Sequence, residues 1–124
     1  MTTPDRLASQ AGDLIRQFNH ATITSGDDWQ YPPQTYAAIG SLAYLARMLP
    51  QAIEQTLRPV EHTHKAGRVL IDGGSDPDPA VEHLREAVKT ASEIAGLLAQ
   101  ALDHAHCASS SMGLDTRGLP EFED

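Results

Sequence analysis

Cys107 is the only cysteine among 124 residues. A single thiol excludes an intrachain disulfide and any cysteine-based zinc framework, and it suits a reducing compartment. Aromatic residues make up only 5% of the chain, so alanine and aliphatic side chains must build the core. Basic residues are also sparse, with nine Lys and Arg against seventeen Asp and Glu and a formal net charge of −8. A general nucleic-acid binder needs clustered cations to displace counterions from phosphates, and so does adhesion to an anionic membrane surface. Here Arg6, Arg16, Arg47, Arg58, Lys65, Arg68, Arg85, Lys89 and Arg117 are scattered. The apolar runs stop well short of the ~20 residues of a membrane span. The start, Met1 to Arg6, has no basic segment followed by an apolar run, so no signal peptide is expected. These absences predict a cytoplasmic protein with neither a nucleic-acid nor a membrane partner.

Catalytic patterns are missing as well. There is no Gly-x-x-x-x-Gly-Lys loop, no His-Glu-x-x-His and no Gly-x-Ser-x-Gly. The Gly73-Gly74 pair sits among aspartates, which repel phosphate. The expectation is a non-enzymatic protein without a cofactor.

What the chain does have is helical periodicity. Leu7, Ala11, Leu14, Phe18 and Ala21 form one stripe. Ile39, Leu42, Ala46, Leu49, Ile53, Leu57 and Val60 form a second. Val81, Leu84, Val88, Ala91, Ala95, Leu98, Leu102 and Ala105 form a third. Spacings of three and four put each set on one helix face. The predicted helices span residues 4–23, 34–66 and 79–108. Pro32 and Pro33 form a stiff connector before the second, and Pro50 and Pro59 kink it without ending it. Gly67 closes the second helix, and Asp78 with Pro79 opens the third. Glu54 with Arg58 and Glu61 with Lys65 form i,i+4 pairs.

The predicted fold is all-α: a long antiparallel hairpin turning near residue 72, with the shorter first helix packed on its base as a three-helix bundle. The apolar face of each long helix is broad near the connector and narrow near the turn, which puts the thick core at the base and a two-helix projection at the tip. Residues 1–108 read as one helical domain, and the aperiodic acidic residues 109–124 read as a disordered tail.

Three groups of residues invite a functional reading. The first is His62, His64 and His83, which the turn brings together. Glu61 and His64 have the Glu-x-x-His spacing of carboxylate-bridged metal bundles. The third stripe leaves His83 off the interior face, so no metal site is predicted and these three are its weak candidates. His104, His106 and Cys107 form another His/Cys group near the end of the third helix, read there as a helix terminus. The second group is Trp29, Tyr31, Tyr36 and Tyr44, which either seal the connector onto the core or line a ligand groove, with Trp29 and Tyr31 as candidate contact residues. The third is Val69, Leu70 and Ile71, consecutive aliphatics in a loop of Gly, Asp, Ser and Pro. They either cap the hairpin end or form a contact patch.

Trp29 after the first helix, in an Ala-rich helical chain, resembles the WXG100-type secreted helical hairpins. Here the motif reads Trp29-Gln30-Tyr31, with Tyr where that family has Gly, and no Tyr-x-x-x-Asp/Glu signal follows. Over residues 29–108, the Ala-rich composition and the Tyr-Pro-Pro start resemble small uncharacterised actinobacterial helical proteins more closely. That resemblance implies a fold and carries no activity. The leading expectation is a non-enzymatic intracellular helical protein acting through a protein partner or self-association. The alternatives are a small-molecule or metal-binding helical protein and a WXG100-like secreted factor.

Overall fold

The computed structural model describes residues 2–23 and 26–122. It has four α-helices and, among the described residues, no strand: α1 Pro4–Ile23, α2 Pro32–Gln55, α3 Arg58–Lys65 and α4 Pro77–Ser109. Single 3-10 turns cover Asp27–Trp29 and Pro120–Phe122. The chain divides into two compact units. One holds Met1–Thr35 with Met112–Asp124, and the other is Tyr36–Ser111.

In the first unit, α1 is amphipathic but has no buried residue, and Leu7 and Leu14 remain 55% and 64% exposed. Phe18 meets Trp29 edge to face at 5.7 Å between ring centres. The start of α2 is set by Gln34. Its Oε1 accepts from the backbone N–H groups of Gln30 and Tyr31, at 2.8 Å each, and its Nε2 donates to the Asp28 carbonyl. This is the backward half of a capping box, with Gln at the third helical position. α2 therefore begins two residues earlier than the sequence predicts. Pro32 and Pro33 lie inside its first turn, where the missing N–H groups have no intrahelical acceptor to lose. The tail is mostly exposed, yet it carries the 3-10 turn and an Asp115–Arg117 ion pair, and Phe122 meets Tyr31 edge to face at 6.3 Å.

The second unit is the predicted antiparallel hairpin. Glu61 pairs with Arg85, Ser92 with Pro50 and Glu54, Arg47 with Asp103, and His64 with Asp78. Every pair is centred within a few residues of Asp72, so one register runs the length of the hairpin. The predicted second helix continues through Pro50 but breaks at Thr56-Leu57. The break follows from Pro59, whose ring crowds the carbonyl four residues earlier, that of Gln55, where α2 ends. Half-buried Ile53, Leu57, Val60 and His64 keep a four-three-four spacing across it, so α3 extends the α2 face in phase.

α3 closes with Gly67 at φ 70°, as the sequence predicts. Gly67 N–H donates to the His64 carbonyl and Arg68 N–H to that of Thr63, a Schellman closure. α4 begins at Pro77 rather than Pro79. The Asp-Pro pattern occurs twice in a row and the earlier copy is used: Asp76 caps by accepting from the Asp78 N–H, and Pro77 occupies the first turn. Asp78 is thereby free to meet His64 across the tip at 2.7 Å.

The hairpin seam differs from the predicted stripes by a shift of one residue at alternate positions. On α4 the buried positions are Val81, Val88, Ser92, Ala95, Ala99 and Ser109, with Arg85, Leu102 and His106 half-buried between them. On α2 they are Ala43 and Ala46, flanked by half-buried Ile39, Pro50 and Ile53. Val81, Val88, Ala95 and Leu102 belong to both sets. Leu84, Ala91 and Leu98 are replaced in the seam by Arg85, Ser92 and Ala99. Both phases have heptad spacing. The seam uses the one that turns Ala99 rather than Leu98 inward and brings Arg85 and Ser92 to Glu61 and Glu54. Val81 is 3% exposed, while Leu98, which the expected stripe places in the core, is 47% exposed.

Candidate functional site

At the tip, Arg58, Glu61, His62, His64, Lys65 and Arg85 line an open depression of about 490 Å³. α3 turns these residues to one side, and α4 supplies Arg85. The guanidinium grips Glu61 through two bonds, Nε–Oε1 at 2.5 Å and Nη2–Oε2 at 2.9 Å, and reaches Glu82 at 3.2 Å. Hydrogen bonding from Arg85 holds the Glu61 carboxyl below its ordinary value, and Glu61 and Glu82 raise the guanidinium. Glu61 therefore pairs across the hairpin rather than with Lys65. Likewise Glu54 accepts from Ser92 at 3.0 Å.

This geometry redistributes the histidine candidates. His62 and His64 line the depression, but His64 is engaged by Asp78 and Glu61 by Arg85. His83 is not among the lining residues. Among the described residues, no group of three His, Cys, Asp or Glu side chains is placed to hold a metal ion.

In the tip loop the three aliphatics do not act as one. Val69 and Ile71 are half-buried, whereas Leu70 is 84% exposed. The loop turns behind them at Gly73 and Gly74, both at positive φ, with Gly74 N–H bonded to the Ile71 carbonyl. Capping and exposure therefore divide between neighbours, and the exposed part is a single side chain.

The four clustered aromatics part company. Trp29 and Tyr31 are half-buried and line a shallow groove with Gln34, Thr35 and Met112. Tyr36 stacks on His106, with 4.2 Å between ring centres and 16° between planes. That imidazole fills a notch at Gly40, where an added Cβ would lie 2.8 Å from Nε2. Tyr44 is exposed. His106 is thus a ring packed between Tyr36 and Gly40, and Cys107 beside it is free and exposed.

The most extended feature is an apolar stripe of α4 that includes Leu84, Ala91 and Leu98, three residues the apolar spacing places in the core. Because the seam takes Arg85, Ser92 and Ala99, the neighbouring set Leu84, Ala87, Ala91, Ile94, Leu98 and Ala101 lies outside it, and all six are exposed. Ile94 is 59% and Leu97 63% exposed. The charged residues of α4, Asp78, Glu82, Arg85, Glu86, Lys89, Glu93 and Asp103, lie elsewhere on its circumference by helical period. The signal for this second stripe was present as an unbroken three-four apolar spacing, but that spacing did not say which of two adjacent stripes meets α2.

No helix among the described residues is long and apolar enough to cross a membrane. No family model, curated protein or solved structure matches the chain.

Proposed function

We propose that this is a non-enzymatic intracellular helical protein that acts through protein–protein interaction or self-association, with the outer stripe of α4 as its docking surface. The observation that carries this reading is the continuous, uncharged, exposed stripe from Leu84 to Ala101 on a chain that otherwise carries a net charge of −8. Contiguous exposed apolar surface tends to mark contact sites. A free, exposed thiol at Cys107 suits a reducing compartment. The tip depression is a weaker candidate, because Glu61, His64 and Arg85 there already satisfy each other or their neighbours.

A photo-crosslinking side chain placed at Leu97 and activated in the native host tests the reading. Cross-linked protein, whether a second copy or another chain, is expected at Leu97. It is not expected at Lys89, which lies on the opposite side of α4 from the stripe by helical period. Equal yields at the two positions would refute the assignment.

A further inference from the structure

The reading above leaves the occupant of the α4 stripe open, and the pattern of side-chain sizes along the stripe narrows it. We propose that the stripe pairs with the same stripe of a second copy, the two α4 helices running antiparallel about a two-fold axis between Ala91 and Ile94. The inference rests on the docking reading and goes beyond it in naming partner and geometry.

The stripe holds three large and three small side chains in an order that is complementary to its own reverse. Read in order, Leu84, Ala87, Ala91, Ile94, Leu98 and Ala101 are large, small, small, large, large, small, and all six are exposed. An antiparallel partner centred between Ala91 and Ile94 sets Leu84 against the second copy's Ala101, Ala87 against its Leu98, and Ala91 against its Ile94. Every layer then holds one large and one small side chain, which keeps the helix spacing even along the contact. A parallel partner would instead stack Leu on Leu, Ala on Ala and Ile on Ile. Its alanine layers would leave gaps between wide layers. The same patch meeting itself is the requirement of a closed two-fold interface.

Charge points the same way. With the stripe at the two core positions of a heptad, the flanking positions between residues 80 and 105 are Val81, Val88, Ala95 and Leu102 on the hairpin side and His83, Thr90, Leu97 and His104 on the other. No Asp, Glu, Lys or Arg falls at a core or flanking position. Glu82, Arg85, Glu86, Lys89, Glu93 and Asp103 all occupy the remaining ones. Two copies of an acidic chain can therefore meet along this line without placing like carboxylates together. Thr90 lies opposite the second copy's Leu97, and His83 opposite its His104. Helix α4 thus works on two adjacent faces, the hairpin seam toward α2 and a large–small seam toward the second copy.

Sedimentation equilibrium of the full chain across a micromolar range, with helicity checked by circular dichroism, tests this. The wild type is expected to dimerise. Ile94→Asp should raise the dimer dissociation constant about a hundredfold or more while leaving helicity intact, because Ile94 is outside the hairpin seam. Ala91→Ile alone should weaken the dimer by setting Ile against Ile, and adding Ile94→Ala should restore it by exchanging large and small within the layer. A wild type that stays monomeric at about 100 μM overturns the proposal, as does a dimer indifferent to Ile94→Asp. A Leu14→Asp variant that lowers stability non-additively with Ile94→Asp would identify α1 as the occupant and likewise refute it. If the protein is monomeric while Leu97 cross-links to a different chain, the second-copy proposal fails and the docking reading stands.

Discussion

The buried positions of the hairpin are occupied by small residues, and this governs what single substitutions do. Ala43, Ala46, Ala95 and Ala99 are buried, and no large side chain is fully enclosed. Tolerance at such sites is set by space rather than by lost apolar area. Gly40 shows this most clearly, since its missing Cβ is the room in which the His106 ring sits against Tyr36. Gly40→Ala gains up to ~1 kcal/mol of helix propensity but must displace the imidazole, so its net effect in the wild type is expected to be neutral or destabilising. In a His106→Ala background the clash is gone, and the same substitution should stabilise by about 1 kcal/mol. Urea denaturation of the four proteins in this cycle measures the coupling, and equal effects in both backgrounds would contradict the notch. At the tip, Val81→Ala removes methyls from a buried position and should cost more than about 1 kcal/mol. Leu98→Ala, at a half-exposed position, should cost less in the monomeric hairpin. Thermal melts at low protein concentration decide the order.

At the scale of elements, the helices that the sequence announces are those the chain forms, because propensity and periodicity are local properties. Their ends were less legible. α1 matches its predicted limits, and Gly67 closes α3 as expected. The starts of α2 and α4 fall two residues before the predicted ones, because Pro32 and Pro77 are first-turn residues. The α2–α3 break was invisible in the apolar spacing, which keeps its phase across Thr56-Leu57. Its cause is the Pro59 ring against the Gln55 carbonyl. Pro59→Ala should therefore join α2 and α3 and raise the helical circular dichroism signal; an unchanged signal would place the cause elsewhere.

The Arg85–Glu61 pair ties α3 to α4, and it makes a signed prediction. Arg85 lowers the folded pKa of Glu61, so the unfolded chain binds the proton more readily than the native one. Stability from this pair is present above the ordinary glutamate value of about 4.3. It is lost as pH falls through the depressed folded value. Both groups are substantially exposed, so the effect is modest. Glu61→Gln should lower the melting temperature at pH 7, with the difference from wild type shrinking on acidification toward pH 3. A difference independent of pH would mean that the carboxylate charge contributes nothing.

For the whole molecule, the architecture was readable and the outer surface was not, for one physical reason. Leu84, Ala91 and Leu98 and the alternative set Arg85, Ser92 and Ala99 are equally spaced along α4. Choosing by hydrophobicity assigns the leucines to the seam, but the hairpin closes on the set that pairs Arg85 with Glu61 and Ser92 with Glu54 and turns Ala99 inward. The large aliphatics Leu84, Ile94 and Leu98 are thereby left exposed on another face of α4. The same distribution predicts how stability is spread through the chain. Buried residues lie in α2 and α4, and none lies in α1. Backbone amides exchange slowly where opening requires loss of packed contacts, and quickly where a helix can open alone. Hydrogen exchange on the full chain should therefore find its slowest amides in α4 between Val81 and Ala99 and in α2 around Ala43 and Ala46. Amides of α1 from Pro4 to Ile23 should exchange far faster, despite the good amphipathic pattern of that helix. Protection of α1 equal to that of α4 would show that its apolar stripe is buried in solution. It would also make α1, rather than a second copy, the first candidate to cover the outer stripe of α4.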